Sequence, residues 1–101
     1  MTVQLLRRKF TVEQYHKMIE SGILTEDDRV ELIRGEIIEM SPIGTKHAAC
    51  VNRLINLLMQ LLGKRVILAA QNPIVLNNNS EPQPDVALLK PRDDFYETAH
   101  P

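Results

Sequence analysis

"RVELIRGEIIEM", residues 29–40, is the stretch on which the fold turns. Two runs containing Val and Ile flank Arg34-Gly35, and that spacing predicts a β-hairpin with a two-residue turn. Gly35 suits the second turn position, whereas Arg34 departs from the Asn or Asp preferred at the first. In this register Ile33 pairs with Glu36, and Glu31 with Ile38. One face carries Glu31, Ile33, Glu36, Ile38 and Met40; the other carries Val30, Leu32, Ile37 and Glu39. Both faces mix charged and apolar residues, so alternation leaves the buried face undecided.

Upstream, residues 1–10 read as a loose arm or edge strand with a basic cluster at Arg7, Arg8 and Lys9. Thr11 and Gln14 have the spacing of a capping box, with Phe10 and Tyr15 placed to staple it. The helix they open continues through "VEQYHKMIES" and stops at Gly22, with Tyr15, Met18 and Ile19 on one face. Downstream, "SPIG" turns the chain into a second helix ending near Leu62. Its stripe is Val51, Leu54, Ile55, Leu58, Leu61 and Leu62, and Gly63 follows it. "RVILAA" reads as a short buried strand, and "NPIVL" as another opened by Pro73. "NNNSEPQP", residues 77–84, is loop; "DVALL" is the last strand; "KPRDDFYETAHP" is a polar tail with weak helical potential. Helix, two strands, helix and further strands predict an α/β (α+β) layer with a mixed sheet flanked by helices.

The chain has 101 residues, which fits one small domain over 1–101. Aromatic residues are only 4%, so the core must be mostly aliphatic. A net charge of -1 excludes the basic footprint of a nucleic-acid coat protein and argues against a DNA-binding module without catalysis. One cysteine, Cys50, excludes an internal disulfide and a cysteine zinc cluster, and points to a reducing cytoplasm. Cys50 beside Val51 reads as a buried, inert thiol. The N-terminus lacks the apolar run of a signal peptide, and no segment is long enough to span a membrane.

Three residues attract chemistry. Asp85 stands between Pro84 and the apolar run Val86–Leu89, where a strand needs no charge. It is either a turn aspartate capping its own loop or a metal ligand held at a strand end. Glu31, in the hairpin, is either solvent-facing or a carboxylate pointing into a polar cleft as a second metal ligand; Glu36 and Glu39 compete for that role. His47, near the start of the second helix and off its apolar stripe, is either a surface residue or a participant. His16 and His100 have no context that raises them. Lys46, Arg53, Lys64 and Arg65 are either phosphate contacts or a solvated helix face and end.

The ordered set "VEL-x-x-GE", "MSP-x-G-x-x-H" and "PQPD" resembles a large bacterial family of restriction-endonuclease-like proteins within the PD-(D/E)xK nuclease superfamily. The resemblance runs from "FTVEQYHKM" through "PRDDFYETAHP". It implies a mixed sheet flanked by helices, Asp85 as a Mg²⁺ ligand, Glu31 as the upstream acidic residue, and His47 as a companion. It also implies Mg²⁺-dependent hydrolysis of nucleic-acid phosphodiester bonds, DNA being a possible partner. In the family a further strand brings a second acidic residue and a lysine, and Pro101 precedes any such strand here. The expectation is therefore the N-terminal part of such a domain, holding Mg²⁺ weakly and weak or inactive alone. "DVALL" would present an open edge for a homo-oligomer or a separately encoded C-terminal half. The competing expectation is a truncated, non-catalytic remnant serving as a protein-interaction module.

Overall fold

The computed structural model describes residues 5–101, so the part of the N-terminal arm over 1–4 lies outside the described residues. Helices and strands mix, as the α+β reading expects. The strands pair as two antiparallel two-stranded sheets. The chain divides into two compact units. One takes the chain up to Met40 together with Val75–Pro82; the other takes Ser41–Ile74 and Gln83–Pro101.

The first unit holds helix α1 (Val12–Glu20) and the hairpin of β1 (Val30–Ile33) and β2 (Glu36–Glu39). The capping box forms in full: Gln14 N–H donates to Thr11 Oγ1 at 3.2 Å, and Thr11 N–H donates to Gln14 Oε1 at 3.0 Å. Another orphan donor of the first turn, Val12 N–H, reaches the Asn78 carbonyl at 2.7 Å. The helix ends at Glu20 rather than at Gly22, and Gly22 takes the left-handed conformation just beyond it. On its face Tyr15 is buried and Met18 half-buried, while Ile19 is exposed.

The hairpin has the predicted register, Ile33 opposite Glu36 and Glu31 opposite Ile38. Arg34 and Gly35 both have positive φ, 49° and 81°, as a type I′ turn requires. The buried face is that of Leu32, which is 0% exposed. Its backbone forms an antiparallel bridge with Glu81. Glu81 N–H donates to the Leu32 carbonyl at 2.8 Å, and Leu32 N–H points back to the Glu81 carbonyl at 3.4 Å.

The expected strand over "NPIVL" does not form. Pro73 offers no N–H to a ladder. Leu76 N–H instead turns back to the Ser80 carbonyl at 3.0 Å, and Asn77 bridges Ser80.

The second unit holds helix α2 (Thr45–Leu62), a 3₁₀ turn over Gly63–Arg65, and the pair β3 (Ile67–Ala69) and β4 (Ala87–Leu89). Ile67 pairs with Leu89 and Ala69 with Ala87. Of the predicted stripe on α2, Val51, Ile55, Leu58 and Leu62 are half-buried, whereas Leu54 and Leu61 are exposed. Cys50 is likewise exposed, contrary to the expected buried thiol, because it lies on the side of α2 that carries Leu54 and Leu61. Arg65 closes the helix: its Nη2 donates to the Leu61 carbonyl at 2.7 Å and its Nε to that of Leu62 at 3.3 Å. The tail folds into turns with no helix, tied by Tyr96 Oη donating to the Lys90 carbonyl at 2.7 Å. Among the described residues no helix is long and apolar enough to cross a membrane.

Candidate active site

Asp85 lies just before β4, and the approach to it is pinned. Gln71 N–H donates to the carbonyl of Pro84 at 3.0 Å, which ties this residue to the chain beyond β3. Pro84 itself has a fixed φ. The Asp85 carboxylate faces the start of α2. Its Oδ2 lies 3.1 Å from His47 Nε2, and both side chains are about half exposed. His47 stands in the first turn of α2, whose N-cap, Gly44, supplies no side-chain hydrogen bond and whose first turn contains no acidic residue. Asp85 is therefore the carboxylate that reaches this helix start, and it does so through the imidazole. Two of the three residues marked by sequence thus meet, although each alone had an ordinary surface reading.

The donor chemistry of the pair can be tested against a magnesium ion. Mg²⁺ is commonly bound through one or two carboxylates, keeps several waters, and takes the rest of its shell from substrate phosphate. An accessible carboxylate with a neighbouring imidazole on one oxygen fits such a water-rich site, His47 acting as an orienting group rather than as a ligand. Among the described residues no three His, Cys, Asp or Glu side chains gather as a ready cage. Lys46 and Arg53 on α2 are exposed, and Arg65, weighed above as a phosphate contact, is spent on the helix end.

Glu31 belongs to the first unit. It is half-buried in β1 opposite Ile38. The same unit holds two residues that sequence reasoning passed over, Glu81 and His16. Glu81 is 2% exposed, and its Oε1 lies 2.7 Å from His16 Nε2. Tyr15, next to His16, donates its hydroxyl to the Val30 carbonyl at 3.3 Å. Burial raises the Tyr15 phenol above its ordinary value of 10.0, and the charges of Glu81 and Glu31 raise it further. Nothing local marked Glu81, because a glutamate between Ser80 and Pro82 reads as loop. His16 had no visible partner, since its carboxylate is 65 residues away in the chain.

A family model described as "Uma2: Putative restriction endonuclease" matches residues 12–101. No curated protein matches the chain. No solved structure matches it either.

Proposed function

The chain belongs to the Uma2 family of restriction-endonuclease-like proteins, and from that premise we propose that it is a Mg²⁺-dependent endonuclease hydrolysing nucleic-acid phosphodiester bonds. The observation that carries the reading is the Asp85–His47 pair at the head of β4. A strand gains nothing from a half-exposed carboxylate at that point, and a metal site does.

In this reading Asp85 holds the ion through its carboxylate. Bound there, Mg²⁺ supplies charge to polarise the scissile phosphate and lowers the pKa of an attacking water. His47 is a positioning residue: its Nε2, 3.1 Å from Oδ2, limits the rotation of the carboxylate. Glu31 is proposed, on the resemblance alone, as a second carboxylate of the reaction. A single carboxylate holds a hard cation weakly, so activity in this chain should be low and should need millimolar metal.

Plasmid nicking with Mg²⁺ or Mn²⁺ tests the proposal. Wild type should nick, Asp85→Ala should not, and His47→Ala should need more metal for half-maximal rate, with His47→Gln partly restoring it. Equal activity in wild type and Asp85→Ala would overturn the reading. Glu31→Gln, compared with wild type at saturating metal, tests the second carboxylate separately.

A further inference from the structure

The tip of the hairpin carries a feature that the Asp85–His47 pair does not use. Arg34 occupies the turn position where Asn or Asp is preferred, and it does so at φ 49°, in the left-handed region that disfavours a long side chain. Strained residues persist where surrounding contacts over-determine them, and they concentrate at functional sites. Here the contacts are plain. Arg34 N–H donates to Ser80 Oγ at 2.9 Å, and Gly35 N–H donates to the Asn79 carbonyl at 2.7 Å.

Three chain segments meet at this tip. The N-terminal arm is held to the turn by Phe10 N–H, which donates to the Gly35 carbonyl at 2.8 Å. The arm is also held to the 77–80 loop by Asn79 Nδ2, which donates to the Phe10 carbonyl at 3.0 Å. Lys9 packs so closely over Gly35 that a Cβ on the glycine would fall 2.6 Å from that of Lys9. Between the segments lies a recess of about 380 Å³ lined by Lys9, Arg34, Asn77, Asn79 and Ser80. Its charged lining is cationic, with small amide and hydroxyl groups making up the rest. The basic cluster of the arm is sorted by the fold: Arg7 is neutralised by Glu36 at 3.0 Å, while Lys9 lines the recess.

Two cations beside amide and hydroxyl groups are the chemistry that binds phosphate oxygens. We propose that the Lys9–Arg34 recess is a phosphate-binding site for the nucleic-acid backbone, positioning the substrate rather than cleaving it. This rests on the endonuclease reading for its choice of polyanion. It assigns a role to the turn arginine and to the basic arm, neither of which that reading needs.

The test is fluorescence polarisation of a labelled duplex in EDTA, over a salt series, so that binding is read without cleavage. The variants are Lys9→Gln, Arg34→Asn, their combination, and Arg34→Lys. Arg34→Asn places the preferred residue in the turn, so folding is protected, and thermal melts verify it. The double variant should bind about tenfold more weakly at low salt, with the magnitude of its log–log salt slope reduced by about 2, one for each lost phosphate contact. Arg34→Lys should keep most of the slope, because a point charge still serves. Unchanged affinity and slope in the double variant would overturn the proposal, as would binding of inorganic pyrophosphate with no binding of the duplex. Either result leaves the nicking comparison of Asp85→Ala to judge the endonuclease reading by itself.

Discussion

His16 Nε2 lies 2.7 Å from Glu81 Oε1, and Glu81 is withdrawn from water while His16 still reaches it. A buried carboxylate is tolerable only while something compensates its lost hydration. His16→Ala removes that partner and should lower unfolding free energy by roughly 1–3 kcal/mol. Glu81→Gln, which keeps an acceptor, should cost less. Urea denaturation of both single variants and the double closes the cycle. A His16→Ala midpoint equal to wild type would contradict the assignment.

The raised Tyr15 phenol makes a prediction about alkaline pH. In the fold its neutral form is favoured by burial first, then by Glu81 and Glu31. Below the ordinary value of 10.0 both folded and unfolded chains keep the proton, and the stabilisation is fully present. As pH rises past 10.0 the unfolded chain releases its proton first, so stability falls until the folded phenol also ionises. Tyr15→Phe should flatten this alkaline decline in melting temperature. An unchanged decline would assign it to other groups.

Leu32 has no exposed surface and sits where the hairpin meets the Glu81 bridge. Leu32→Ala should cost about 2–5 kcal/mol, as buried leucine truncations do. Against a total of roughly 5–15 kcal/mol for a small domain, that is a large share. Chemical denaturation measures it, and a loss below about 1 kcal/mol would mean that this site is not the centre of the unit's packing.

Gly35 and Gly22 separate two costs of adding a side chain. Both have positive φ, 81° and 83°, but a Cβ meets Lys9 only at Gly35 and nothing within 4 Å at Gly22. Gly22→Ala should cost only the backbone penalty of about 1–2 kcal/mol. Gly35→Ala should cost more and should displace the arm. Equal thermal shifts for the two variants would show that the close approach to Lys9 carries no energy.

Much of the local structure was legible because its causes are local. Thr11 and Gln14 sit three residues apart, and the hydrogen bonds of the capping box close within that span. Gly35 beside Arg34 allowed the tight turn, and the turn then determined every pairing of the hairpin. Helix α2 ends where Gly63 follows Leu62, as its pattern required. The strand expected over "NPIVL" failed for a reason also local, the three asparagines that turn the chain immediately after it. Cys50 failed differently: α2 has apolar residues on more than one side, and periodicity alone does not say which side is covered.

By itself, then, the sequence determined the hairpin register, the start of α1, the end of α2 and membership of a nuclease-like family. Asp85 was marked by its place before an apolar run. Tertiary structure alone decided that Asp85 meets His47, that Glu81 is buried against His16, that Leu32 rather than Ile38 faces inward, and that Lys9 joins Arg34 around one recess. The physical reason is separation along the chain. Turn geometry and caps are fixed by neighbours a few bonds away, and residue spacing records them. Burial of a carboxylate or convergence of two cations depends on segments tens of residues apart, which leave no periodic trace in either.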